Sequence, residues 1–245
     1  MIKSLVNNLV CKHRHHIETH PACFAEGNVN LDQAKALEDR YGKPWYLIDG
    51  YKIGIIDIEA DGLKADFNTM LSWCIKEKDG AVVTDVVSKE ELFNGTADRR
   101  IVQTCVDEMS KYKILIGYYS TGYDIPFLRA KALHYNILFP GYNTEAYTQS
   151  NGNEAVRILA DIYHFDMYYV VKSKLCISRK SLDASCDFLG IKGKTPLDRE
   201  VWRLAKYGDP TALASVLEHN IADCVILEKL HQRLSPFVKF TKKSI

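Results

Sequence analysis

The chain has 245 residues, 47% of them hydrophobic and 26% charged, a balance that suits a soluble globular protein with one large domain or two small ones. Thirty-two Lys and Arg against 31 Asp and Glu leave a net charge of +1, so overall charge identifies no partner and only local basic clusters remain to be weighed. No apolar run approaches the roughly 20 residues of a membrane span; the N-terminus does not resemble a signal peptide, and seven cysteines, an odd number, fit free thiols in a reducing compartment. A cytoplasmic protein with no membrane partner is expected.

Residues 1–50, rich in His, Asn, Asp and Gly, read as an N-terminal appendage, and 51–245 as the main domain. Within the appendage, "CKHRHHIETHPAC" supplies Cys11, His13, His20 and Cys23, a Cys-x-His and His-x-x-Cys set that could close a tetrahedral structural Zn²⁺ site. The gap between its halves is shorter than in an ordinary zinc finger. A polar loop with His15 and His16 solvated is the alternative reading.

The core begins at Lys52. "KIGIIDIE", "TMLSWCIKEKDG" and "AVVTDVV" predict a three-stranded meander with a hairpin turn at Asp79-Gly80. A helix over Asp98 to Tyr112 follows, then the short strand "KILIGYY", a helix from "DIPFLRAKALHYN" beginning around Pro126, and a strand over "AVRILADIYHF". Helices are predicted over Met167–Lys174, Ser181–Leu189, Asp198–Tyr207 and Pro210–Leu234. Asp209 is the expected N-cap of the last, and its Leu213, Val216, Leu217, Ile221, Cys224, Leu227, Leu230 and Leu234 recur at helical spacing. The order predicts an α/β fold: a mixed central sheet, antiparallel meander plus parallel strands, flanked by helices.

Asp57 and Glu59 end the isoleucine run "KIGIIDIEADGL". Residues two apart on a strand share a face, so two carboxylates stand side by side in apolar surroundings, at a cost of several kcal/mol each unless something neutralises them. Asp124, in "GYYSTGYDIPFL", precedes a helix and taken alone reads as its N-cap. Asp223, in "LEHNIADCVILEKL", lies on the border of the apolar stripe of the last helix, with His219 one turn earlier on the same side. Each acid has a structural explanation by itself. Gathered together, four carboxylates would repel one another unless cations balanced them, and hard oxygen ligands suit Mg²⁺ or Mn²⁺.

These residues resemble the DEDD (DnaQ-like) superfamily of 3'-5' exonucleases on the ribonuclease-H-like fold. "DIEADGL" resembles its first motif, "GYDIPFL" the second and "HNIADCVIL" the last, while "KSLDASCDFLGI" is similar to the segment between them. The C-terminal part looks most like stand-alone virus-, phage- and bacteria-associated members. The resemblance implies that Asp57, Glu59, Asp124 and Asp223 hold two Mg²⁺ or Mn²⁺ ions, that Leu63 contacts the 3'-terminal base, and that Tyr123 lies on the substrate path. One subgroup carries Tyr four residues before the last Asp and the other His five before it. Here His219 stands at minus four and Glu218 at minus five, so His219 occupies the tyrosine position with an imidazole's capacity to act as a base.

The expectation is a metal-dependent nuclease that releases nucleoside monophosphates from 3' ends by two-metal hydrolysis. Its expected partner is nucleic acid, single-stranded DNA or 3' ends first and RNA second. The alternatives are a ribonuclease-H-like or junction-type endonuclease on the same fold, and a catalytically silent nucleic-acid-binding module. Basic candidates for the nucleic-acid surface are Lys172–Lys180, Ile191–Lys194 and the tail "KFTKKSI".

Overall fold

The computed structural model describes residues 52–94, 97–148, 154–160, 162–193 and 196–237. The candidate zinc set of Cys11, His13, His20 and Cys23, the 50/51 boundary and the basic tail lie outside the described residues. In the main sheet, β1 (Ile53–Ala60), β2 (Met70–Glu77) and β3 (Val82–Val86) form the predicted antiparallel meander; β4 (Ile114–Gly117) and β7 (Tyr163–Asp166) extend it in parallel, giving the order β3-β2-β1-β4-β7. Two shorter helices, α1 (Lys89–Phe93) and α2 (Arg99–Met109), follow the meander, and α3 (Asp124–His134) follows β4. After β7 come α4 (Met167–Lys174), α5 (Leu182–Phe188), α6 (Arg199–Lys206) and the long α7 (Pro210–Leu234). This is the mixed sheet flanked by helices that the sequence predicts.

Strand alternation divides the core in two. Ile53 and Ile55 point to the face covered by α4, α5 and the C-terminal half of α7, where Cys224, Leu227 and Leu230 are buried. Ile56 and Ile58 point to the other face, against Ile101, Cys105 and Met109 of α2 and Leu128 of α3. The same parity sends Asp57 and Glu59 to the α7 face. Helix α7 begins as predicted, with Asp209 Oδ1 accepting from Ala212 N at 2.9 Å and Pro210 in the first turn. Its other end clamps the β2–β3 hairpin. Glu228 accepts from Asp79 N at 2.7 Å and pairs with Lys76 at 2.7 Å, and Asp79 occupies the left-handed region with φ of 56°.

Three expectations change. The run "AVRILADIYHF" is not one strand: β6 (Glu154–Ala160) pairs antiparallel with β5 (Tyr142–Thr148) in a separate ribbon, and β7 alone joins the main sheet. A continuous apolar run does not reveal which sheet each half joins. Helix α3 starts at Asp124 rather than around Pro126, and Asp124 is not its N-cap; Tyr123 stands there without a side-chain capping bond. Helix α1, opened by a Ser88–Glu91 capping box, is an element the hydrophobic pattern missed because it buries none of its residues.

Candidate active site

The parallel strands β1, β4 and β7 end on the same side of the sheet, and the chemistry-bearing residues collect there. Asp57 and Glu59 lie in the last half of β1, opposite Cys74 and Ser72 of β2, and a register shift follows Glu59. Asp124, 4% exposed, is the first residue of α3, and its Oδ1 accepts from Ile58 N at 3.1 Å. That bond goes beyond the expected capping role: the carboxylate reaches across to the β1 backbone. Asp223 is 7% exposed on α7, one turn past His219.

His219 Nε2 stands 3.7 Å from Glu59 Oε1 and 4.0 Å from Asp223 Oδ2, and ligand atoms of Glu59, His219 and Asp223 all lie within 4.8 Å of one another. The rings of Trp202 from α6 and His219 stand perpendicular, with centroids 6.1 Å apart and planes at 89°. Asp57 joins this group electrostatically. Burial first, then the charges of Glu59, Asp124 and Asp223, push its carboxyl well above the usual carboxylate range. Burial also raises Asp124 to about 7, with Asp166 adding to it and the Ile58 N–H opposing it. All four predicted acids and His219 are thus brought together by the fold.

Leu63 is 77% exposed on the loop after β1, available to a ligand rather than packed away. The Tyr123 hydroxyl donates to Gly62 O at 2.9 Å, so this ring ties the Leu63 loop to the start of α3. A fifth acid, Asp61, is committed elsewhere, accepting from Thr69 N at 2.7 Å and pairing with Lys206 at 3.1 Å.

Asn220 was not anticipated. Fully buried on α7, it donates from Nδ2 to Asp57 Oδ2 at 2.6 Å and so holds that carboxylate in place. A signal existed: Asn220 interrupts the apolar row Val216–Cys224 at the four-residue spacing, where a buried amide needs a partner. Asp166 was also passed over. Its carboxylate accepts from Tyr119 N at 2.7 Å, Thr121 N at 2.9 Å and Tyr168 N at 3.0 Å, holding the loop that delivers Asp124.

Crowded, buried carboxylates whose charged forms are disfavoured fit divalent cations. Oxygen donors of this kind suit Mg²⁺ or Mn²⁺, and Asp57 is held by an amide rather than by a side-chain cation.

A model of the RNase_H superfamily matches residues 55–235. The chain belongs to the RNase H superfamily. The match spans the sheet from β1 through α7, including every acid of the cluster, and membership supports a nuclease in broad terms. Among solved structures, this RNase H superfamily chain is similar to the family B DNA polymerase from the hyperthermophilic archaeon Pyrobaculum calidifontis, with a TM-score of 0.58 and 19% identity. The likeness covers 76% of this chain and 25% of that one, so the chain spans about a quarter of the polymerase's length, and what the two share is the fold. No curated protein matches the chain in sequence. No described helix is long and apolar enough to cross a membrane.

Proposed function

We propose that the protein is a 3'-5' exonuclease of the DEDD type, hydrolysing nucleic acid one nucleotide at a time and releasing nucleoside monophosphates. The observation that carries this reading is the convergence of Asp57, Glu59, Asp124 and Asp223, from three separate elements, on the end of β1 beside His219. Asp57, Glu59, Asp124 and Asp223 would hold two Mg²⁺ or Mn²⁺ ions. When bound, those ions supply a water activated for attack and charge neutralisation at the leaving oxygen.

The remaining work falls to the chain's own side chains. Asn220 holds the Asp57 carboxylate in place. His219 Nε2, beside Glu59 and Asp223, accepts a proton from the attacking water as its oxygen bonds to phosphorus. The bond from phosphorus to the 3'-oxygen of the preceding nucleotide breaks, and that oxygen is protonated by solvent. Trp202 stands perpendicular to the imidazole and restrains it. Leu63, exposed on the loop after β1 that the Tyr123–Gly62 bond steadies, meets the terminal base.

The test pairs a linear single strand labelled at its 5' end with a closed circle of the same sequence, each incubated with Mg²⁺ or Mn²⁺. A ladder shortened from the 3' end, an intact circle and no reaction in EDTA are expected. Cleavage of the circle would replace the exonuclease by an endonuclease on the same fold.

A further inference from the structure

The loop between β4 and α3 carries a buried polar pair to which the proposed hydrolysis gives no part. Ser120, fully buried, has its Oγ 2.8 Å from Nε2 of His164, which is 4% exposed on β7. Burial pushes that imidazole down to about 4, so the ring is neutral near pH 7. Two apolar side chains of the same shape would pack at least as favourably, because a buried hydrogen bond does little more than offset the desolvation of its partners. What the pair adds is direction.

Residues two apart on a strand share a face, and His164 and Asp166 of β7 both hold this loop. Asp166 accepts from the amides of Tyr119 and Thr121, and His164 meets the side chain of the residue between them. The fit is close. A Cβ on Gly117 would come within 2.0 Å of Ser120 Oγ and 3.5 Å of His164 Nε2, so the hydroxyl lies where any other residue at 117 would put its side chain. Tyr119 turns the chain there with φ of 58°, a left-handed conformation that a bulky residue keeps only where its surroundings impose it.

While its side chain is tied to β7, the backbone of Ser120 acts on α3. The Ser120 carbonyl accepts from Ile125 N at 3.0 Å, in the first turn of the helix that opens with Asp124. The Tyr119 carbonyl accepts from Gly122 N at 2.8 Å and Tyr123 N at 3.1 Å. Tyr123 makes no side-chain capping bond, so these two carbonyls set the start of α3. From that start the Asp124 carboxylate reaches Ile58 N of β1. A displacement of Ser120 is therefore passed straight to a candidate metal ligand.

We propose that His164 is a positioning residue for the acid cluster: acting through Ser120, it fixes where the first turn of α3 places the Asp124 carboxylate, and so how tightly the site holds a divalent ion. This role rests on Asp124 being a metal ligand, as in the proposed function.

Titration calorimetry of the full chain with Mn²⁺, beside thermal melting, tests it without cleavage. His164→Leu fills much of the same space without a hydrogen bond and is expected to weaken Mn²⁺ binding about tenfold, the lower end of the range for losing a group that orients a ligand. His164→Gln, whose side-chain amide can reach the place of Nε2, should restore most of the affinity. The double variant Ser120→Ala/His164→Leu leaves no buried hydroxyl unpaired and should melt close to the wild type, yet bind Mn²⁺ as weakly as His164→Leu. On a labelled single strand, His164→Leu should lower kcat and leave KM unchanged. Wild-type Mn²⁺ affinity in His164→Leu overturns the proposal, as does failure of His164→Gln to rescue it. Recovery of affinity in the double variant also overturns it, since the pair would then serve the fold alone. Asp124→Asn is the control: wild-type Mn²⁺ affinity there removes Asp124 as a ligand and the reading of the site with it, whereas a loss there with none in His164→Leu removes His164 alone.

Discussion

Asn220 shows how much a single amide decides. Its Nδ2 lies 2.6 Å from Asp57 Oδ2, and the side chain has no exposure through which water could replace that contact. Asn220→Ala should weaken Mn²⁺ binding by roughly 10- to 100-fold, the usual consequence of losing a group that orients a ligand, read by titration calorimetry; unchanged affinity would show that Asp57 needs no such support. Asp57→Asn separates stability from activity. It removes a charge that burial and three neighbouring acids disfavour, while the new amide oxygen can still accept from Asn220. In EDTA the variant should melt a few degrees above the wild type at alkaline pH, with the gap narrowing as pH falls and the wild-type carboxyl takes up its proton. A variant that melts lower at alkaline pH would mean the buried charge is already compensated. His219→Ala should lower turnover by about 10²- to 10⁴-fold, the usual worth of a positioned base, and move metal affinity much less. Unchanged turnover removes His219 from the mechanism.

At the scale of elements, one buried acid outside the site joins three of them. Asp98, fully buried, accepts from Met70 N of β2 at 2.7 Å and from the Tyr135 hydroxyl at 2.6 Å, and pairs with Lys131 of α3 at 3.0 Å. Asp98→Ala strands a largely buried ammonium and should cost about 3–5 kcal/mol in urea unfolding; a loss below about 1 kcal/mol would show that Lys131 finds another partner. The sequence shows Asp98 only as the start of a helix, because its partners lie 28 and 37 residues away. The same limit governs the rest of the fold. The meander and α7 were legible because alternation, the Asp79-Gly80 turn and the Asp209-Pro210 start are local signals. The β5–β6 ribbon was not, since only pairing distinguishes its second strand from β7. The metal-ligand candidates were readable as charges in apolar places; Asn220, Asp166 and Tyr119 work through contacts that spacing alone does not show.

Across the whole molecule, two sets of buried groups pull stability in opposite directions with pH. Burial pushes His164 and His231 down to about 4, so the unfolded chain binds their protons first, near the ordinary value of about 6.5. Their contribution is complete above that pH and is lost as pH falls toward 4. Asp124, raised to about 7, behaves oppositely: the metal-free fold keeps a proton the unfolded chain has released, and stability falls as pH rises through about 4 to 7; Asp57, also raised by burial and its neighbouring acids, acts in the same direction. Divalent ions should relieve only the acids, so the gain in melting temperature on adding Mg²⁺ should be small at pH 5 and grow toward pH 8; a gain independent of pH would place the ion away from these carboxylates. The central claim is that the acids gathered at the end of β1 perform 3'-end hydrolysis. Single-turnover cleavage of a 5'-labelled single strand in Mg²⁺ or Mn²⁺ tests it most directly, with wild type and Asp57→Asn compared at equal bound strand. The wild type should yield a 3'-shortened ladder and nucleoside monophosphates, and Asp57→Asn should be slower by at least about 10³-fold, a barrier increase of about 4 kcal/mol; undiminished cleavage by the variant would contradict the account.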